Sequence, residues 1–452
     1  MEIIQQVTEN FIKQAKSVDL CKGLTSSLEE LKAICNEFIC RVVEEKLGEL
    51  DQAIYANPRY RSNWKVEHKD VPRELLTSFG SLQFSRRYYR NSETDERRYL
   101  VDGLVGIAPG ERVEAGLVAQ LCETATDQSY AKSAKLCCDG QVSRQTVMRK
   151  TRQVKEQPEE VVEKRSGVRV LHLQADEDHV AMQDGRKDTI VKLVAIHEPA
   201  VRVSKKRWKL QQRHLMSSYK EPVEDFWLRV ADEIDRRYTD PEKMTIYIHG
   251  DGASWIRSGT KWLNNSHFVL DKFHVQQMVK RVTGNQAEYG QVIWDHFEMD
   301  ERRKINELTQ ACMDSEVCAE STGKEFMQYL RSNWDGIQIW YDEHHQAGRS
   351  CAEGLVSHVL SSRLSSRPCG WRDEGLATVS RLRVHVLNGG RIKPEDVRKA
   401  PKPAIRLTKG LQRAITIDSR YEFNGGRVMH TDHRSSAEYR LFKAITAGGH
   451  TL

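Results

Sequence analysis

The stretch Thr245-Ile246-Tyr247-Ile248-His249-Gly250-Asp251-Gly252-Ala253-Ser254-Trp255 limits the folds open to this chain more than any other. Its first half is rich in β-branched and aromatic residues, which suit a buried strand. It stops at His-Gly-Asp-Gly, where glycine lets the backbone turn sharply, and a helix-compatible segment follows. A strand whose tip presents a carboxylate belongs to an α/β sheet, where chemistry collects beyond the carboxyl ends of the strands. Gly-Asp-Gly by itself can be only a turn. A functional reading of Asp251 therefore needs partners elsewhere in the chain.

Residues 168–180 read as a strand running into the acidic cluster Asp176-Glu177-Asp178. A second apolar run covers 189–196, and a third, weaker one lies within 201–216. Pro222 opens a helix with Val223, Trp227, Val230 and Ile234 on one face. The strand ending at Asp251 comes next, and His267-Phe268-Val269-Leu270 then leads into Asp271-Lys272-Phe273-His274. Three strands, a helix, a strand, a short helical piece and a strand is the order of an RNase H-like mixed sheet. In that fold the first and fourth strands are neighbours, so the tips carrying Asp176 and Asp251 would meet.

Two carboxylates placed side by side repel unless a cation lies between them. Hard oxygen donors favour Mg²⁺ or Mn²⁺, and a pair of such ions can activate water and stabilise the leaving oxygen of a phosphodiester. Asp176 and Asp178 point to the same face, because strand side chains repeat every two residues. Asp176 is the preferred ligand and Asp178 an outer alternative. The third acid is expected at Glu353, in the first turn of a helix that must stop by Pro368. It lies 102 residues beyond Asp251, which suits a helical insertion over 275–345 with hydrophobic faces from Trp294, Phe297, Leu308, Phe326, Tyr329 and Leu330.

Ala175-Asp176-Glu177-Asp178-His179-Val180, His249-Gly250-Asp251-Gly252-Ala253, Leu270-Asp271-Lys272-Phe273-His274 and the Glu353 segment with Leu360-Ser361-Ser362-Arg363-Leu364-Ser365-Ser366-Arg367-Pro368 together resemble the ISLre-type bacterial insertion-sequence transposases. The likeness runs over most of the chain. It implies a DDE transposase with an RNase H-like catalytic domain, in which Asp176, Asp251 and Glu353 match the three acids that hold two Mg²⁺ or Mn²⁺ ions. Asp271 and His274 are similar to the Asp-x-x-His element that related transposases carry after the second acid. His274 can equally be a structural histidine. Arg363 and Arg367 would either hold phosphates or lie on a solvated helix face.

The N-terminal third adds a DNA-binding expectation. Residues 24–50 form a helix with the stripe Leu28, Leu31, Cys35, Phe38 and Val42, read as a packing face or a self-association seam. A hairpin turns at Phe79-Gly80, and its basic, aromatic strand from Arg86 to Arg90 either grips phosphate or is a solvated edge. Residues 129–136 suit a short helix and 137–141 a turn. Ser143 then caps a second helix carrying Arg144, Gln145, Arg149 and Arg152. A helix pair of this kind matches a helix-turn-helix whose Arg and Gln would read base edges.

The charged stretch 155–165, with Pro158, reads as a linker. The expected parts are a helical region (1–60), hairpin and helix-turn-helix (61–165), the first part of the core (166–274), the insertion (275–345), the last core helix (346–390) and a flexible basic tail (391–452). That tail holds Arg391, Lys393, Arg398, Lys399, Lys402, Arg406, Lys409 and Arg413.

Composition agrees with a globular protein: 39% hydrophobic and 30% charged, with a net charge of +6. No run approaches the ~18 apolar residues of a membrane span, and the N-terminus shows no secretory signal, so a cytoplasmic protein is expected. Ten scattered cysteines without a Cys-x-x-Cys pair indicate reduced, buried thiols and no zinc ribbon. The expected activity is cutting of element ends and joining of the freed 3′-OH to target DNA, by a homo-oligomer on DNA. The alternatives are an RNase H-fold nuclease without joining and a non-catalytic DNA-binding protein.

Overall fold

Trp64–Thr77 (β1) and Gly80–Asn91 (β2) pair antiparallel, with Thr77 opposite Gly80 across a two-residue turn. The Thr77 hydroxyl holds that turn, accepting from the Phe79 amide at 3.1 Å and donating to the Gly80 carbonyl at 2.8 Å. Arg97–Arg98 (β3) completes a three-stranded antiparallel sheet. The computed structural model describes residues 2–156, 162–187, 189–205, 207–398 and 401–412. They form two compact units, one from Met1–Val118 with the chain from Arg398 onward, the other from Ala119–Val397.

In the first unit the Leu24–Ala56 helix covers the small sheet. Cys40, Leu47, Leu50 and Ile54 pack with Trp64, Leu75, Leu82, Phe84 and Tyr89. The expected stripe is used only in part: Phe38 meets Phe11 of the Glu2–Ser17 helix at 4.5 Å between ring centroids, while Leu28 and Cys35 stay exposed. Two residues proposed to grip phosphate are committed to the fold instead. Arg86 is buried, ion-paired with Asp102 at 3.1 Å and laid over the Tyr99 ring, and Arg87 is paired with Asp51. Burying a guanidinium demands such a partner.

The basic stretch after residue 390 also departs from a flexible arm where it is described. Arg391 pairs with Glu123 at 3.3 Å and Arg398 with Glu111 at 2.8 Å, while Ile405 and Leu411 are buried in the first unit's core. Lys399 and Arg413, like Pro158 of the linker, lie outside the described residues.

The second unit is built on a five-stranded mixed sheet. Val170–His179 (β4), Ile190–Ser204 (β5), Arg207–Ser218 (β6), Thr245–Gly250 (β7) and Ser266–Leu270 (β8) lie in the order β6-β5-β4-β7-β8. The first and fourth of these strands are therefore neighbours, as their order along the chain leads one to expect. β4, β7 and β8 run parallel, and β5 is antiparallel to both β4 and β6. The parallel strands are buried on both faces, one face apolar and the other carrying His172, Gln174 and His249.

On one face Leu171, Leu173, Ala175, Ile246 and Ile248 pack with Phe226 and Trp227 of the Val223–Arg237 helix. On the other, Val191, Leu193 and Ala195 pack with Val356, Val359, Leu360, Leu376 and Val379. The stretch 275–345, expected to be helical, is covered by Lys272–Val282, Ala287–Glu298, Arg302–Asp314 and Glu320–Asp342. It has no core of its own: Phe297, Phe326, Leu330 and Ile337 merge with the first face of the sheet. No described helix is long and apolar enough to cross a membrane, and all ten cysteines are free.

Candidate active site

The parallel ladders set the level of the acids. Gln174 pairs with His249, and Gly250 with Leu270. Carried one or two residues past the paired positions, this register brings Asp176, Asp251 and Asp271 to one row at the carboxyl ends of β4, β7 and β8. Adjacent strands are ~4.8 Å apart. The Asp271 amide donates to the Gly250 carbonyl at 2.7 Å, which holds the last two strand tips together. Side-chain alternation puts all three acids on the face covered by the chain from Ala352 to Leu387.

Two glycines make this tip possible. A Cβ on Gly250 would meet Ile256 Cδ1 at 2.7 Å and the Ala175 carbonyl at 2.9 Å. Gly252 has φ +97°, which L side chains rarely adopt. Asp251 Oδ1 accepts from the Ala253 amide at 2.9 Å, and the Tyr329 hydroxyl donates to the Asp251 carbonyl at 2.7 Å.

The electrostatics reflect the crowding. Burial, together with the neighbouring Asp251 charge, pushes Asp176 up to about 6, while the Glu177 amide and His274 oppose the rise. Asp271 caps the Lys272–Val282 helix by accepting from the Phe273 amide at 3.0 Å, and its other oxygen lies 3.2 Å from His274 Nδ1. His274 is raised by that contact and by the charges of Asp271, Asp251 and Asp176. The acids around it thus favour its protonated form.

Asp178 lies on the same face of β4 but is spent on structure. It is buried, and its Oδ1 accepts from the Ser361 and Ser365 hydroxyls, each at 2.8 Å. Gln174 makes a second tie, accepting from the Cys351 amide at 2.9 Å. These ties hold the helical stretch Ala352–Leu364 along β4, and Glu353 stands in its first turn.

Glu353 is therefore on the acids' side of the sheet, with an exposed side chain. Among the described residues no three His, Cys, Asp or Glu side chains are grouped closely enough to hold a metal ion, so Glu353 is not gathered with Asp176 and Asp251 into one ligand set. Gln174, Ser361 and Ser365 were missed in the sequence. The i, i+4 spacing of the two serines on a helix and the even spacing of Gln174, Asp176 and Asp178 on one strand face were the available signals.

Beneath the acids the same face carries His172, His197 and His249. His172 Nδ1 and His249 Nε2 are 3.2 Å apart, and the His172 and His197 rings lie 5.2 Å apart, stacked. Burial drives His172 down to about 4 and His249 well below its ordinary value, so this floor is neutral and lends the acids no charge.

Of the residues expected to touch DNA, Arg144, Gln145 and Arg149 are exposed on the Arg144–Arg152 helix. That helix is capped by Ser143, which accepts from the Thr146 amide. It follows the Tyr130–Cys138 helix through a left-handed turn at Asp139 and Gly140. Arg152 is half-buried and lies 3.8 Å from Glu374. Arg367 is exposed. Arg363 is half-buried: it donates from Nε to the Ala125 carbonyl at 3.0 Å and its guanidinium lies over the Trp371 and Tyr130 rings.

A family model described as "Uncharacterised protein family (UPF0236)" matches residues 22–400. Similar proteins occur in Caldanaerobacter subterraneus subsp. tengcongensis. One UPF0236 protein, whose name joins four loci of that genome, is 35% identical over 400 residues, covering 87% of this chain and 85% of the relative. A second joins eleven loci and is 34% identical with the same coverage. A third joins two loci and is 35% identical over 87% of this chain and 80% of its own length.

Proposed function

Starting from the chain's membership of the UPF0236 family, we propose that it is a DNA transposase of the DDE kind, with an RNase H-like catalytic domain that cuts element ends and joins their 3′-OH to target DNA. The observation that carries this reading is the row of strand-tip carboxylates, with Asp176 and Asp251 on adjacent parallel strands. The Glu353 helix, tied to β4 on the same face, supports it. So do the relatives whose names each join several loci of one genome. A gene copied many times is what a mobile element leaves behind.

The residues present fit a divalent cation by their chemistry. Burial and the adjacent Asp251 charge make ionised Asp176 costly by itself, and a hard cation would remove that cost. Asp176 and Asp251 would hold Mg²⁺ or Mn²⁺, two ions in all, and Glu353 would serve as the third acid only by moving in from its exposed place on the same face. Such ions would supply positive charge beside a phosphodiester and lower the pKa of a nearby water.

The chain's own residues do the rest. Asp271, 3.2 Å from His274 Nδ1, favours a proton there, which would leave Nε2 for a phosphate. The neutral histidine floor excludes water from below. The exposed Arg144, Gln145 and Arg149 of a helix-turn-helix would read base edges, within a homo-oligomer assembled on DNA.

The test is cleavage of DNA from the ends of the element encoding this chain, with Mn²⁺ or Mg²⁺. Asp251→Asn should abolish cutting and leave DNA binding intact, and pre-cut ends with a free 3′-OH should be joined to target. Cutting that survives Asp251→Asn removes the reading. Cutting without joining leaves only a nuclease.

A further inference from the structure

The β5–β6 hairpin runs well past the core. β5 extends to Ser204 and β6 starts at Arg207, with Val201 opposite Lys209, Arg202 opposite Trp208 and Ser204 opposite Arg207. Residues 201–205 and 207–209 are all exposed, including Trp208 at 57% and Val203 at 57%. A two-stranded ribbon with solvent on both faces has no core to stabilise it. A Trp left bare on such a ribbon has no packing role in the chain itself.

The charge is one-sided. No Asp or Glu occurs between Glu198 and Glu221, while Arg202, Lys205, Lys206, Arg207, Lys209, Arg213 and Lys220 fall inside that interval. Arg202 is used internally: it donates to the Ser204 carbonyl at 3.2 Å and the Lys205 carbonyl at 2.8 Å, stiffening the tip. Among the described residues no carboxylate pairs with Lys205, Arg207 or Lys209. Cations without partners, set beside an exposed indole, are the makings of a nucleic-acid contact: phosphates meet the cations and a base stacks on the ring.

We propose that this hairpin is a DNA-gripping arm, in which Lys205, Arg207 and Lys209 hold backbone phosphates and Trp208 stacks on an unpaired base. Resting on the DNA-processing reading above, it adds a contact distinct from both the acid row and the Arg144–Arg152 helix. Its place is set by register. Leu193 of β5 lies opposite Asp176, and the strand runs from there away from the acids to Ser204. Eleven residues of strand span roughly 36 Å, about one turn of B-DNA.

The test is binding of the full chain to a duplex about three helical turns long bearing an unpaired tail, in EDTA and over a range of salt. The variant Lys205→Ala/Arg207→Ala/Lys209→Ala should lower the slope of log affinity against log salt by about 2.7, at ~0.9 per phosphate contact. Lys205→Arg/Lys209→Arg should keep the wild-type slope. Trp208→Ala should weaken binding of the tailed duplex about tenfold. A wild-type slope in the triple variant, wild-type affinity in Trp208→Ala, or tighter binding of the same sequence as RNA overturns the proposal. Because no divalent ion is present, failure of cleavage does not touch it. Conversely, an arm variant with wild-type binding leaves the catalytic reading standing.

Discussion

Asp176→Asn should stabilise the metal-free protein, and the size of the gain follows from the strand tip. Burial, with Asp251 next, raises Asp176 from 3.8 to about 6. At ~1.36 kcal/mol per unit, ionising this carboxylate in the folded chain costs at most about 3 kcal/mol more than in the unfolded one. Because the folded value lies above the unfolded one, the cost is absent below 3.8, grows between 3.8 and about 6, and is complete above that. Asparagine keeps the acceptor that takes the Glu177 amide at 2.8 Å and removes the charge.

Thermal unfolding in EDTA should therefore show the variant melting higher near neutral pH. At about 2 °C per kcal/mol for a unit of this size the gain is at most about 6 °C, and it should vanish near pH ~4. Mn²⁺ should then raise the wild-type Tm more than that of the variant. A variant no more stable than wild type near neutral pH, or one gaining equally at acid and neutral pH, would refute the claim that burial and crowding outweigh the Glu177 amide and His274 at Asp176.

Four further outcomes follow from the structure. Ser361→Ala/Ser365→Ala strips buried Asp178 of both hydroxyl donors and should cost about 1–3 kcal/mol in urea unfolding, with loss of end cleavage as the Glu353 helix loosens. Gly250→Ala drives a methyl against Ile256 and the Ala175 carbonyl. Since backbone cannot yield, it should cost about 1–3 kcal/mol, read from the urea midpoint. Arg363→Ala should lower stability by about 2 kcal/mol through lost ring and carbonyl contacts without changing DNA affinity. Arg149→Ala should do the reverse, losing about 1–3 kcal/mol of site discrimination in a competition assay.

Much of the second unit was legible along the chain because strands and their tips are local. The β-branched run before Asp251, the acids after β4 and the amphipathic Val223–Arg237 helix each follow from side-chain period. Their order alone puts β4 beside β7. What the sequence left open was decided by partners far away in the chain. Asp176 and Asp178 are equivalent by strand alternation, and they part company only because Ser361 and Ser365 arrive to occupy Asp178.

Arg86, Arg87 and Arg363 looked like phosphate ligands because a local pattern cannot show that Asp102, Asp51 and the Trp371 ring will claim them. Nor does the β5 pattern say that its ladder with β6 continues into solvent, since burial depends on what covers a strand and not on the strand itself. Period and composition establish which face of each element is apolar. Only the assembled chain settles which charges are neutralised, because a charge's fate depends on the distance to groups that local sequence cannot place.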